Sequence, residues 1–415
     1  MATVFTFPVS SPSQVPPKSD GRVKRPREFT CFSYDGDRRL RLDDSGLKWY
    51  YPPSQSELEN SGGSGGIDLS KGFERFDKHD EDAAGDEHLV GLLKALMDWE
   101  EKEGKKAVEA GGVVTWRGMM TKIMAVGGGN GDEDGFEMNA TLYRDCIFIE
   151  ENYEYKVKRN AEQSSRPQRG QFSSDQMSFW GYKFETLCTL PRPWGECSRD
   201  LIESRDDQVV SNKEQYCSVV RTAIDDVALC LGGEVDCIWD AKPADPSSRP
   251  INWVELKTCA EMRNPNDELW FREKKLMKFW IQSYLLGVPK LVVGFRDRQG
   301  RLRRIEEMET AMIPRVVNRD PRVRWSADGC IDFAARFLKW LRQTINDEGV
   351  WRIRRLPKAR EIEVWRVEET GHGDILTEEF MNWRIKLEMR QQAEKQAQKE
   401  EEEEEEEDGQ MAVEG

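Results

Sequence analysis

Histidine is scarce, with three residues in 415, and the nine cysteines are scattered without one Cys-x-x-Cys pair. A zinc cluster needs closely spaced thiolates and imidazoles, and a disulfide scaffold needs a short, cysteine-dense chain, so both are excluded. Reduced, mostly buried thiols in an intracellular protein are the expectation. The opening stretch, MATVFTFPVSSPSQVPPKSD, lacks the basic-then-apolar order of a secretory signal. No run approaches the roughly 18 apolar residues of a membrane-spanning helix, so a soluble protein without a membrane partner is predicted. Positive charge is also in deficit, with a net charge of −15. Much of that deficit is local: Glu400 to Asp408 is an unbroken acidic run and Glu414 follows, and taking these ten acids from −15 leaves −5. Net charge is therefore a weak guide, and local basic patches decide polyanion binding.

What is present suits a large globular domain. Hydrophobic residues make up 38% of the chain, including 14 Trp and 17 Phe, enough to bury a sizeable core. Three stretches rich in Gly, Ser and charge read as flexible insertions: SGGSGG (61–66), VGGGNGDEDG (126–135) and NAEQSSRPQRGQFSSD (160–175). The expected organisation is a disordered segment over 1–24, one domain over 25–385, and a helical extension with a disordered acidic tail over 386–415. KRPR at 24–27 is a candidate nuclear-localisation signal, which would make the protein nuclear.

Helical and strand-like patterns alternate. Leu89, Leu92, Leu93, Leu96 and Trp99 recur at helical spacing over 88–103. Residues 140–153, 215–224, 229–239 and 251–259 read as strands. The 267–287 segment reads as a helix stopped by Gly287. Two strands at 290–297 and 301–308 flank an RQG turn, a helix is expected over 331–347, and a hairpin follows at 350–356 and 361–369. A last helix begins near Thr377. The fold class expected is α+β: a single large domain with central mixed sheets flanked by helices.

The strand INWVELKTC carries an unusual face. Side chains alternate along a strand, so Val254 and Leu256 point one way while Trp253, Glu255 and Lys257 point the other. In GGEVDCIW, Glu234 and Asp236 are again two apart and share a face. GYKFE adds Glu185 among aromatic neighbours. Converging carboxylates raise one another's pKa unless a cation compensates. Oxygen-only ligands select a hard cation, Mg²⁺ or Mn²⁺. Such an ion bridges phosphate oxygens and activates water, while a neighbouring Lys balances phosphate charge and positions or deprotonates that water. Taken singly, each pair is more often a solvated face or a cross-strand ion pair. Their order along the chain is far more specific.

Asp236 followed by Glu255-Leu256-Lys257 resembles the PD-(D/E)XK nuclease signature. TWRGMMTKI (115–123), GYKFE (181–185), EVDC (234–237), WVELKT (253–258) and FWIQSYLLG (279–287), in that order, are similar to the DXO-type decapping nucleases. FTCFSYDGDRRLRLDDSGLKWYYPP and LYRDCIFIEENY fit the fungal nuclear branch of that family, whose best-known member partners a nuclear 5′–3′ exoribonuclease. The resemblance spans roughly residues 25–385. It implies a metal-dependent enzyme acting on RNA 5′ ends, which removes incomplete or atypical caps, such as the unmethylated guanosine cap and NAD caps, or releases pyrophosphate from 5′-triphosphate RNA. Carried over by motif, Glu185, Glu234, Asp236, Glu255 and the Leu256 carbonyl would bind one or two divalent ions. Lys257 and Gln282 would meet the scissile phosphate and the attacking water, and Arg117 would hold the RNA 5′ end. Lys275 and Lys278, on the face of Gln282, could flank the RNA path. Two rival readings remain: a non-catalytic stabilising partner of the exoribonuclease, and a DNA exonuclease of the wider PD-(D/E)XK class.

Overall fold

The structure is a computed structural model that describes residues 3–9, 23–60, 65–80, 85–129, 134–164, 172–244 and 249–414, with side chains described as far as residue 400. Two mixed sheets dominate. The larger runs, neighbour to neighbour, β1 (Val4–Pro8), β17 (Glu361–Glu368), β16 (Val350–Arg355), β7 (Phe136–Tyr143), β8 (Cys146–Glu151), β6 (Val113–Trp116), β11 (Val227–Glu234), β10 (Gln215–Ile224), β2 (Val23–Tyr34) and β3 (Leu40–Arg41). The smaller runs β5 (Ile67–Asp68), β15 (Arg301–Glu309), β14 (Lys290–Arg296), β13 (Trp253–Ala260), β12 (Cys237–Ile238), β4 (Trp49–Tyr50) and β9 (Thr189–Leu190). Each sheet mixes parallel and antiparallel pairs: β6 lies parallel to both β8 and β11, and β13 is parallel to β14. The α+β expectation holds.

The helix Leu276–Leu286 and the helix Ala327–Thr344 lie in the main core, where Ile281, Leu285, Phe333 and Leu338 pack with Leu231, Trp253 and Val293. The helix Ser174–Cys188 covers the other face of the smaller sheet, setting Phe179, Trp180, Phe184 and Leu187 with Val254, Leu256 and Val292. Strand β13 is thus buried on both faces, which explains its nearly continuous apolar run.

Several expectations are revised. The 140–153 segment is a hairpin, because Arg144 (φ 50°) and Asp145 (φ 63°) form a tight left-handed turn between β7 and β8. The 229–239 segment is split between the sheets: β11 ends at Glu234 and β12 begins at Cys237. The 267–287 helix runs as Pro265–Trp270, a π-turn at Phe271–Lys275 and Leu276–Leu286, closed by Gly287 at φ 70°. Within the stretch expected to be disordered at 1–24, Val4–Pro8 forms an edge strand paired to β17, and Val23 and Lys24 begin β2. Phe7 anchors β1 against the rings of Phe333, Phe337 and Trp340. Residues 10–22 lie outside the described residues. The helix Glu378–Glu414 crosses the expected boundary at 385 and carries the acidic run as helix rather than disorder. Its start is fixed by Arg384, whose Nη2 pairs with the buried Glu100 at 2.8 Å. All nine cysteines are free, and only Cys31 and Cys197 are half-exposed. Among the described residues no helix is long and apolar enough to cross a membrane.

Of the three stretches expected to be flexible, 61–64, 130–133 and 165–171 lie outside the described residues. The glycine stretch at 126–129 is close-packed. A Cβ on Gly127 would lie 2.5 Å from the Phe333 Cβ and 2.6 Å from the Gly329 carbonyl oxygen, and one on Gly128 would lie 2.3 Å from the Met277 sulfur. These glycines let the helix Arg117–Val126 end directly against two neighbouring helices. Gly127→Ala is therefore expected to lower unfolding free energy by about 1–3 kcal/mol, measured by denaturant titration. An unchanged midpoint would show that the stretch is a linker after all.

Candidate active site

The site forms where the chain crosses from one sheet to the other. Glu234 is the last residue of β11, and Val235 and Asp236 make the crossing. Gly232 and Gly233 prepare it: a Cβ on Gly232 would meet the Trp116 ring at 2.9 Å, and one on Gly233 would meet Leu286 at 2.9 Å and the Arg117 Cβ at 3.0 Å. Both glycines thus let Trp116, Arg117 and the Leu276–Leu286 helix approach the strand just before the first acid. Arg117 opens its own helix directly after β6.

Strand β12 pairs with β13 only at Trp253 and Val254, so the β13 edge is open beyond them. There Leu256 donates its backbone N–H to Asp236 Oδ2 at 2.5 Å. The N–H and carbonyl of one strand residue point to the same side, so the Leu256 carbonyl faces the same open edge. Lys257 Nζ lies 2.6 Å from Glu255 Oε1 and 4.0 Å from Asp236 Oδ2. Arg117 Nη1 donates to Glu255 Oε1 at 3.3 Å. The other oxygen of Glu255 is buried and has no hydrogen-bond partner. Gln215 donates to Glu234 Oε2 at 3.4 Å. Glu185 projects from the Ser174–Cys188 helix, close enough to Asp236 and Glu234 to feel their charges.

The electrostatics divide the acids. Burial, with Asp236 and Glu234 nearby, lifts Glu185 well above the usual carboxylate range. Burial, with Glu255 nearby, pushes Asp236 up to about 7. Burial also raises Glu234, against the pull of Arg117 and Lys257. Glu255 is the exception: the desolvation of burial is outweighed by Lys257 and Arg117, and its pKa is lowered. Lys257 is held protonated, because Glu255 and Asp236 outweigh its own burial.

Glu185, Glu234, Asp236, Glu255, Lys257 and Arg117 are therefore brought together, from four separate segments of the chain. Glu234 and Asp236 do so as the end of one strand and the crossing after it, not as alternate residues of a single strand. Gln282 is half-buried on the helix packed beside Arg117, and no hydrogen bond joins it to the acids. The carboxylates stand apart: among the described residues only Asp86, His88 and Glu150 have ligand atoms all within 4.8 Å of one another. That trio is explained as an ion pair, since His88 Nδ1 meets both Glu150 oxygens at 3.2 and 3.1 Å and its pKa is raised, chiefly by that hydrogen bond. Sequence reasoning missed Lys48, which pulls on both Glu185 and Glu234. Its only signal is that its carbonyl accepts from Ile238 N–H at 2.9 Å, a pairing invisible locally.

The donor set fits a hard divalent ion. Three carboxyls have their charged forms disfavoured by burial and by one another, and the fourth offers an unpartnered buried oxygen. The comparisons with known proteins agree with this chemistry. Residues 24–381 match the family described as "RAI1 like PD-(D/E)XK nuclease". The chain belongs to that family. It is 56% identical over 385 residues to the decapping nuclease RAI1 of Neurospora crassa, covering 93% of this chain and 88% of that protein. Among solved structures it resembles Candida albicans Rai1 in complex with pU5 and Mn²⁺, with a TM-score of 0.81, 31% identity, and coverage of 93% of this chain and 100% of that one. It also resembles Scheffersomyces stipitis Rai1 in complex with (3′-NADP)⁺ and a calcium ion, with a TM-score of 0.79, 29% identity, and coverage of 92% and 100%.

A pH dependence follows for the metal-free RAI1-like protein. Asp236 rises from 3.8 unfolded to about 7 folded. The folded state then binds the proton more tightly, so this contribution is full below pH about 4 and is lost as pH rises toward 7. In EDTA, the Tm of the wild type is expected to fall more than that of Asp236→Asn as pH is raised through this window. Parallel melting profiles for the two proteins would contradict the assignment.

Proposed function

We propose that the protein is a metal-dependent hydrolase of RNA 5′ ends, which removes incomplete or atypical caps or releases pyrophosphate from 5′-triphosphate RNA. The observation that carries this reading is the buried Glu255, held by Lys257 and Arg117 through one oxygen while the other is unpartnered. Relatives named as decapping nucleases, and a neighbour complexed with pU5 and Mn²⁺, support it. Glu185, Glu234, Asp236, Glu255 and the Leu256 carbonyl would hold one or two divalent ions, Mg²⁺ or Mn²⁺. Such an ion, when bound, polarises a phosphoryl oxygen and lowers the pKa of its water.

The remaining steps belong to the chain itself. Lys257, paired with Glu255 at 2.6 Å, would present its ammonium to the scissile phosphate and balance the charge that develops there. Arg117 can fork between Glu255 and a 5′ phosphate, fixing the end of the RNA in register. Gln282, neutral and half-buried, offers an amide to orient the nucleophile or a phosphate oxygen. The acids repel one another, so substrate phosphate is admitted only with its counter-ion, which couples binding to metal loading.

With Mg²⁺ or Mn²⁺, purified protein is expected to cleave at least one of unmethylated-capped, 5′-triphosphate and NAD-capped RNA, and Glu234→Ala/Asp236→Ala is expected to lose about 10³-fold or more in rate. If all three RNAs stay intact with the wild type, the reading fails. Degradation of a DNA strand at comparable rates would favour the DNA exonuclease instead.

The family resemblance also supports a nuclear location and a nuclear 5′–3′ exoribonuclease as partner. KRPR lies on β2 with the Lys24, Arg25 and Arg27 side chains exposed, so a receptor could read it. Co-migration with the cognate exoribonuclease on gel filtration is expected, for the wild type and the double alanine variant alike. Separate elution of the two proteins would remove the partner from the proposal.

A further inference from the structure

Three of the acids are each held through one oxygen: Glu255 by Lys257 and Arg117, Asp236 by the Leu256 N–H, and Glu234 by the Gln215 amide. The cations and the backbone N–H can only donate. Gln215 is different, because an amide carries a donor and an acceptor side by side and can turn either one toward a carboxylate. Its NH₂ attracts Glu234, whereas its carbonyl would repel it. A further group must therefore set which end faces the acid.

Sheet register supplies that group. Cys217 of β10 lies opposite Glu234 of β11. Gln215, two residues earlier on the same face, is then a diagonal neighbour of Glu234, about 7–8 Å away and within reach of a long side chain. On its other side Gln215 pairs with Tyr34 of β2, and the turn after β2 brings in Arg38. Arg38 Nη1 donates to Gln215 Oε1 at 2.5 Å. A guanidinium has donors only, so it takes the amide by its oxygen and leaves the NH₂ for Glu234. Arg38 is itself tethered: Nη1 also donates to the Lys213 carbonyl at 3.2 Å, Nη2 meets Glu87 at 3.1 Å, and the guanidinium lies 4.1 Å from the centre of the Tyr34 ring. Its backbone stands at φ 63°, a left-handed conformation that residues other than glycine seldom take. Glycine would suit that turn position better, so the backbone gives no reason for an arginine there; the side chain does.

We infer that Arg38 and Gln215 are positioning residues for Glu234: Arg38 orients the Gln215 amide, and the amide fixes one Glu234 oxygen so that the other is presented to a divalent ion. The inference rests on the reading of the acids as a metal site and deepens it, because it extends that site through β10 to the turn between β2 and β3. Outer partners of this kind fix the rotamer and direction of a ligand, and their loss weakens metal binding by about 10–100-fold.

The test measures Mn²⁺ binding to the purified full chain by isothermal titration calorimetry, without RNA. Gln215→Met and Arg38→Met are each expected to raise the Mn²⁺ Kd about tenfold. The double variant should raise it no further than the larger single effect, because the two residues act in series. Arg41→Gln is the control. Arg41 lies just past the same turn but pairs with Asp35 at 2.9 Å, so its loss should leave the Kd at the wild-type value. An unchanged Kd in Gln215→Met, additive effects in the double variant, or a rise in Arg41→Gln equal to that in Arg38→Met overturns the inference. Thermal melts in EDTA report folding; if Arg38→Met or Gln215→Met is destabilised, the other decides. A wild type that binds no Mn²⁺ refutes the metal-site reading itself, and the positioning role falls with it.

Discussion

Leu256 gives its backbone N–H to Asp236 at 2.5 Å, and this bond ties the segment that crosses between the sheets to the strand carrying Glu255 and Lys257. It can form only because β12 stops after two residues and leaves the β13 edge without a strand partner. A longer β12 would pair both the N–H and the carbonyl of Leu256 to backbone and leave neither free to face the cleft. The acid therefore serves as a piece of missing strand, and the price of a short β12 is met by a carboxylate that is needed there in any case. The two glycines before Glu234 extend the same logic, because they draw Arg117 and the Leu276–Leu286 helix against the end of β11.

The energetics run against stability. Glu185, Glu234 and Asp236 are all shifted toward their neutral forms by burial, whereas Glu255 keeps its charge through Lys257 and Arg117. A core built for stability alone would replace these groups with apolar side chains of the same volume. Their retention reflects a cluster that is complete only when extra positive charge arrives, and the surrounding aromatic packing holds it in readiness. The burial of β13 on both faces supplies that rigidity: Val254 and Leu256 are locked by Phe179, Phe184 and Leu187, while Trp253 is locked by the opposite layer.

Much of this was legible in the sequence. The apolar periodicity of 88–103 and 331–347, the alternation of 251–259 and the stop at Gly287 are local signals, and the elements appear where they place them. The residues of the acid cluster were also legible, because their order along the chain is a property of the sequence. What was not legible depends on contacts distant in the chain. Nothing near Glu234 announces that β11 and β12 belong to different sheets, and nothing near Val4 announces a partner at Trp365. The glycines at 127 and 128 read as flexible because composition cannot distinguish a linker from a close approach between helices. Lys48 is silent for the same reason, since its charge matters only once β4 lies beside β12.

Strand β1 has a bearing on how the protein behaves outside the site. It covers the edge of the ten-stranded sheet at β17, and Phe7 seals a cluster of three aromatic rings beneath it. An uncovered strand edge beside exposed rings is a template for pairing with another chain. The five residues of β1 thus close the aromatic cluster, and pass the open edge of the sheet from β17 to β1 itself. Its partner strand lies more than three hundred residues away along the chain, so this pairing forms only when distant parts of the chain meet.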